Sequence, residues 1–165
     1  MSALPPAGTA GIEGLTADSG AAQMGVRICD ELWLIDVADV TEIIAPPPLL
    51  HVPFTQTWFA GVFALRGSVV GVVDFAAFTG KPRIVANERN RLLLVAPKYG
   101  INSALLFEQV IGLQNPEHFT REQRAATLPS WVESIYRDIE YRAWHSLDMR
   151  ALTGHRSFLA IEASS

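Results

Sequence analysis

Four histidines, one cysteine and a scatter of carboxylates are the residues of this chain with the means to do chemistry. His51, His118, His145 and His155 lie far apart, and no metal-ligand motif joins them. Cys29 is the single cysteine, which excludes an intramolecular disulfide and any CxxC or cysteine-rich zinc site and suits a reducing compartment. It falls at the end of an apolar alternation read as a core strand, so an inert buried thiol is expected. No G-x-S-x-G elbow is present, and the glycines fit neither G-x-G-x-x-G nor a P-loop. Asp36 and Asp39, at i and i+3, form either an acid–base pair or ordinary capping and solvated groups. Asp74, after an apolar run, is either a site carboxylate or a hydrogen-bond acceptor for the turn that follows it. An enzyme reading therefore needs Asp74 to converge with a histidine in a folded pocket.

The composition narrows the choice of partner. Of 165 residues 49% are apolar and 18% charged, enough apolar material for one domain with a real core. Lys and Arg number 13 against 17 Asp and Glu, a formal charge of -4, and the only lysines are Lys81 and Lys98. A phosphate backbone finds no basic stripe here, and the aromatics sit inside apolar runs rather than among cations, so no nucleic-acid partner is expected. The apolar run at 58–65 is stopped by Arg66, far short of the ~18 residues of a spanning helix, so no membrane insertion is expected. No positive charge precedes Arg27 and no apolar signal region precedes it either, so a cytoplasmic location is expected.

These residues must be positioned by short strands. Residues 1–23, rich in Ala, Gly, Ser, Thr and Pro, are expected to be a flexible leader, and 24–165 the folded domain. Val26 and Ile28 alternate on one face, Asp30-Glu31 supply turn chemistry, and Leu32-Trp33-Leu34-Ile35 completes a hairpin. Val37, Val40 and Ile43-Ile44 fit one helical turn leading into a strand that Pro46-Pro47-Pro48 must end. Residues 58–65 and 69–73 flank Arg66-Gly67-Ser68, a second hairpin whose consecutive apolar positions predict cover on both faces. A helical turn is expected at 75–78. Strands are expected at 91–95, 103–107, 110–113, 135–144 and 158–161, a short helix at 120–126 from the Thr120/Gln123 capping pattern, and a helical turn at 147–152. Many short strands with frequent turns predict a mainly β barrel or sandwich.

At 58–75 the text W-F-A-G-V-F-A-L-R-G-S-V-V-G-V-V-D-F resembles the central signature of CheW-like chemotaxis coupling proteins, in which a G-x-x-x-L-R-G hairpin runs into a G-x-V-x-x-V-x-D-L-type strand. Residues 32–44 resemble the family's preceding x-x-I-D-x-x-x-V-x-E-I segment, and 93–113 its later pair of strands. The resemblance covers about residues 25–161. Gly71 stands where the family often has proline, and Phe75 where it has leucine. Residues 114–131 align poorly and inherit no function. Trp144-His145-Ser146-Leu147-Asp148-Met149 and Phe158-Leu159-Ala160-Ile161 are most similar to the variant in type IV pilus (twitching motility) chemosensory clusters.

The resemblance implies a CheW-like fold, two intertwined five-stranded SH3-like β-barrels with a shared core and short helices. It implies an adaptor without catalytic activity, cofactor or metal. Its implied partners are the regulatory domain of a CheA-type histidine kinase and the cytoplasmic tip of a methyl-accepting chemotaxis receptor, within a membrane-associated array. Carried over residue by residue, the family's contact positions fall on Val37, Val40, Glu42, Gly61 and Arg66. Val37 and Val40 are either an apolar docking patch or ordinary core. Glu42 is either a rim charge for specificity or a solvated carboxylate. Arg66 either meets a partner's carboxylates or carbonyls, or ties the two barrels together through backbone carbonyls. Gly61 permits a close backbone approach or a positive φ.

Overall fold

A computed structural model describes residues 22–123 and 125–163. Residues 1–21 of the expected leader lie outside the described residues, while Ala22 is fully buried and Gln23 opens the first strand.

Two sheets carry the fold. The first has the order β8-β1-β2-β11-β10-β9, and the second β3-β6-β7-β5-β4. The strands are β1 (Gln23–Ile28), β2 (Glu31–Asp36), β3 (Val40–Ile44), β4 (Phe59–Leu65), β5 (Ser68–Asp74), β6 (Arg91–Val95), β7 (Ser103–Phe107), β8 (Gln109–Gln114), β9 (Thr120–Arg121), β10 (Val132–Arg137) and β11 (Ala143–Leu147). Among the described residues the α-helices are three single turns: α1 (Phe75–Phe78), α2 (Met149–Thr153) and α3 (Arg156–Leu159). The second sheet has the expected five strands, and the first adds only the two-residue β9 at its edge. Among the described residues no helix is long and apolar enough to cross a membrane.

Both sheets repeat one plan. Hairpin β1–β2, flanked by β8, meets hairpin β10–β11 through the parallel pair β2/β11, with Leu34 beside Ser146. Hairpin β6–β7, flanked by β3, meets hairpin β4–β5 through the parallel pair β7/β5, with Ala104 beside Val72. β5 and β11 each lead into a helix capped by an aspartate: Asp74 Oδ1 accepts from Ala77 N at 3.0 Å, and Asp148 Oδ1 from Ala151 N at 2.9 Å. The two halves of the chain have therefore exchanged their first hairpins, which is how the barrels are intertwined.

The exchange fixes the core. Val26, Ile28, Trp33 and Ile35 from the first sheet pack in one cluster with Val73, Leu93, Leu105 and Phe107 from the second. Trp33 sits at its centre, edge-on to Phe75 at 4.9 Å and stacked on His145 at 4.8 Å. Each such large buried side chain contributes about 1.5–3 kcal/mol. A separate cluster of Phe63, Val70, Val72, Leu92, Leu94 and Ala104 fills the second barrel.

Four local expectations are corrected. The helix expected at 120–126 is not found in its described residues: Thr120 and Arg121 pair with Arg137 and Tyr136 as β9, since an isolated turn of helix does not sustain itself. Residues 158–161 are not a strand. Arg156–Leu159 is a helical turn whose N-cap is His155, with Nδ1 accepting from Ser157 N at 3.0 Å, and the turn tucks Phe158 into the shared core. Cys29 is in the β1–β2 turn at φ +50, half-buried, with its N–H donating to Glu108 rather than lying on a strand. β4 is only partly covered on its second face: Phe59, Gly61 and Phe63 are buried, Ala60 and Val62 are half-buried against the core, and Ala64 is exposed.

Candidate partner-binding surface

The Arg66 turn is built by two residues of positive φ, Arg66 at +50 and Gly67 at +83, which close β4 onto β5 with Leu65 opposite Ser68. Two such residues match the right-handed twist of a two-residue hairpin. The turn projects the Arg66 guanidinium toward β3, the opposite edge of the same sheet. There it donates to Glu42 twice, Nη1 to Oε1 at 2.6 Å and Nη2 to Oε2 at 2.7 Å. This fork-to-fork pair spans the seam where the second sheet closes on itself. Arg66 therefore links two edges of one barrel and does not tie the two barrels together. Its hydrogen bonds hold the Glu42 carboxyl below the usual glutamate range. The Arg66 side chain is 68% exposed and that of Glu42 34%, so the pair sits in view of a partner.

Val37 and Val40 bracket the turn that feeds β3. Asp36 caps the 3-10 turn Val37–Asp39, its Oδ1 accepting from Ala38 N at 2.9 Å, which is the capping role and not an acid–base one. Val37 is half-buried, and Val40 packs against the shared core. Asp39 is buried and accepts from the Tyr99 hydroxyl, with Lys98 Nζ at 3.3 Å. Outward from the same strand, Thr41 and Ile43 are exposed.

Gly61 presents no surface of its own. It is buried at φ +135, and a Cβ there would stand 2.7 Å from the Leu50 carbonyl oxygen. Residue 50 crosses β4 as an isolated bridge to Val62, with both hydrogen bonds formed. The close approach and the positive φ are thus both realised. The structure brings Glu42 and Arg66 together, sets Val40 on the same strand as Glu42, and leaves Gly61 beneath the neighbouring segment.

Sequence reasoning missed the apolar patch beside this seam. Leu50 is 71% exposed and Val69 63%, and with Pro47, Pro48, Val62 and Ala64 they line a groove of about 410 Å³. Leu50 and the prolines lie on the segment that runs along β4 and Val69 at the start of β5, and no residue type announces that this face is left uncovered.

The carboxylate an enzyme would need is occupied by backbone. Asp74 is buried, with Oδ1 on Ala77 N and Oδ2 accepting from Ile84 N at 2.8 Å. Burial pushes its carboxyl up, against those amide donors. His145 lies in the aromatic stack, His155 caps a helix, and His51 and His118 are exposed. Among the described residues no histidine bonds to Asp74, and no three His, Cys, Asp or Glu side chains converge as a metal site.

Comparison with known proteins gives the same architecture. The family model of the CheW-like domain matches residues 23–157. Protein PilI of Pseudomonas aeruginosa is 23% identical over 154 residues, a match covering 90% of this chain and 86% of that protein. The crystal structure of the scaffolding protein TtCheW from Thermoanaerobacter tengcongensis superposes with a TM-score of 0.68 at 18% identity, covering 83% of this chain and 94% of that one. That likeness is one of fold.

Proposed function

This chain belongs to the CheW-like domain family, and from that premise we propose that it is a non-catalytic adaptor coupling a methyl-accepting chemoreceptor to a CheA-type histidine kinase. The similarity to PilI extends the reading to a chemosensory array controlling type IV pilus twitching motility. The observation that carries it is the Arg66–Glu42 pair: two carried-over contact positions, 24 residues apart in the chain, meet as one exposed charge-assisted fork. An exposed fork together with the exposed apolar groove gives a mixed surface, in which charge sets register and apolar area gives affinity. In this reading Val37, Val40, Glu42 and Arg66 serve receptor or kinase contact, and Gly61 serves it by holding β4 against Leu50. The adaptor acts in the cytoplasm and is recruited to membrane-associated receptor clusters.

Binding to the C-terminal regulatory domain of the cognate kinase, by co-purification and calorimetry, tests the proposal. A complex that Arg66→Glu weakens is expected. No complex at concentrations on the order of tens of micromolar overturns it. The alternative of a small β-barrel enzyme built on Asp74 and a histidine finds no support in a carboxylate whose two oxygens both serve backbone amides.

A further inference from the structure

The two barrels repeat one backbone and clothe it differently. β4 breaks register between Phe59 and Gly61, β10 between Val132 and Ser134, and β5 and β11 each lead to a capping aspartate. Counted from those marks, Phe63 opposite Val70 matches Tyr136 opposite Trp144, Val62 matches Ile135, and Ala64 matches Arg137. The segment alongside matches as well: Leu50 N donates to Val62 O at 2.8 Å, and Glu122 N to Ile135 O at 2.8 Å. Where the second barrel exposes Leu50 and Ala64, the first therefore carries Glu122 and Arg137, which pair at 2.5 Å. The fold accepts an ion pair at that place. The bare groove of Pro47, Pro48, Leu50, Val62, Ala64 and Val69 is thus no requirement of the backbone, and exposed apolar ground of this kind marks a contact.

The matching turns differ in the opposite sense. In place of the charged Arg66-Gly67 turn, the first barrel has the longer turn 138–142, with Ile139 and Tyr141 76% and 82% exposed. That turn is braced. Asp138 accepts from Glu140 N, Arg142 N, Arg142 Nε and, at 2.9 Å, from Nε1 of buried Trp144. Tyr141 is held in the left-handed region at φ +63, where a bulky residue is strained, and its carbonyl accepts from Arg137 Nη1 at 3.0 Å. A rigid apolar knob of this kind loses little conformational entropy when it binds.

We propose that this knob seats in the groove of a second copy of the chain. Prolines and aromatic rings recognise one another in peptide docking; the groove supplies Pro47 and Pro48, and Tyr141 the ring. Charges match at the margin. Ala64 and Val69 flank the turn of the Arg66–Glu42 fork, and Tyr141 stands between Glu140 and Arg142, themselves paired at 3.3 Å, so each cation can meet the other copy's carboxylate. Knob and groove lie on different barrels, so the contact runs head-to-tail and repeats from copy to copy. Two side chains in one groove bury well under the roughly 1,200 Å² of the smallest stable interfaces, so the contact is weak alone and gains from crowding. A kinase or receptor seated on the same groove would displace the knob. The test uses the chain by itself, so its failure leaves the adaptor reading untouched.

Sedimentation velocity of the full chain between about 10 μM and 1 mM covers the affinities expected of so small a contact. The sedimentation coefficient should rise with concentration, and Tyr141→Glu and Leu50→Glu should each keep the chain monomeric with an unchanged melting curve. Mixed together, those two variants retain one intact knob and one intact groove, so the mixture should form dimers and nothing larger. In a Cys29→Ser background, Tyr141→Cys mixed with Leu50→Cys should cross-link on oxidation faster than either variant alone. The proposal is overturned if the parent stays monomeric at about 1 mM. It is overturned equally if the mixed glutamate variants stay monomeric, or if like copies cross-link as fast as the mixed pair. Phe54 is another exposed aromatic, and loss of association in Phe54→Ser but not in Tyr141→Glu would refute the knob.

Discussion

Replacing Gly61 by alanine tests how the second barrel is held shut. The backbone there has φ +135, a region that residues with a Cβ rarely adopt, and forcing one to do so costs about 1–3 kcal/mol. The added methyl would also stand 2.7 Å from the Leu50 carbonyl oxygen and 3.2 Å from Leu49 Cβ. That carbonyl accepts from Val62 N at 3.0 Å, so moving it aside gives up a further 0.5–1.5 kcal/mol, roughly. The sum is about 3 kcal/mol, or roughly 6–12 °C in Tm for a chain of this size. Gly112 is a matched control, with a similar φ of +122 and nothing within 4 Å of a built Cβ. Gly112→Ala should therefore show the strain alone, and the difference between the two variants isolates the collision with residue 50. Urea unfolding, followed by tryptophan fluorescence and far-UV circular dichroism, gives both free energies. If Gly61→Ala costs no more than Gly112→Ala, the steric argument is wrong. If Gly61→Ala is fully stable and yet loses kinase or receptor binding, Gly61 is a contact residue and its structural role is refuted.

Three further outcomes are expected. Arg66→Glu sets two carboxylates across the seam; its melting curve should stay near that of the parent, kinase or receptor binding should weaken, and Glu42→Arg with Arg66→Glu should restore it. A large fall in Tm for Arg66→Glu would instead make the pair a closure of the barrel. Asp74→Ala leaves Ala77 and Ile84 N–H without their acceptor and should cost about 2–3 kcal/mol in urea unfolding, against about 1 for an ordinary lost cap; equal costs for Asp74→Ala and Asp148→Ala would contradict this. Burial alone would raise the Asp138 carboxyl, but Trp144 Nε1, the Arg142 N–H and guanidinium, and the Glu140 N–H hold it down at about 2. Its contribution, on the order of 1–2 kcal/mol, is present above the usual aspartate value near 4 and is lost as pH falls toward 2. Asp138→Asn should lower stability at pH 7 and flatten that acid limb, and an unchanged limb would show that these donors do not set it.

Much of the fold was legible because its turns carry their own chemistry. Arg66 and Gly67, the proline run at 46–48, and the aspartates before α1 and α2 mark boundaries by local geometry, and the hairpins around them follow. Edges and partners were not legible, because they depend on what lies beside a strand. The apolar run of β4 looks the same whether one face is covered or two. The run at 158–161 is too short to separate a strand from a buried helical turn, and Phe158 reaches the core as the latter. For the site, the L-R-G text gave Arg66 and the preceding segment gave Glu42, but nothing local says that they touch.

The exchange of hairpins also sets an order of events. β1 and β2 are synthesised first, yet their parallel neighbour β11 begins at Ala143, more than a hundred residues later. The second sheet can assemble once β7 has emerged, whereas the first must wait with its leading hairpin unpartnered on one side until β11 has emerged. Closure of such distant pairs is slow, since loop entropy is lost before contacts repay it. In inheritance the same topology joins what the text separates. Loss or exchange of either half of the chain breaks both barrels, because each half supplies strands to both sheets.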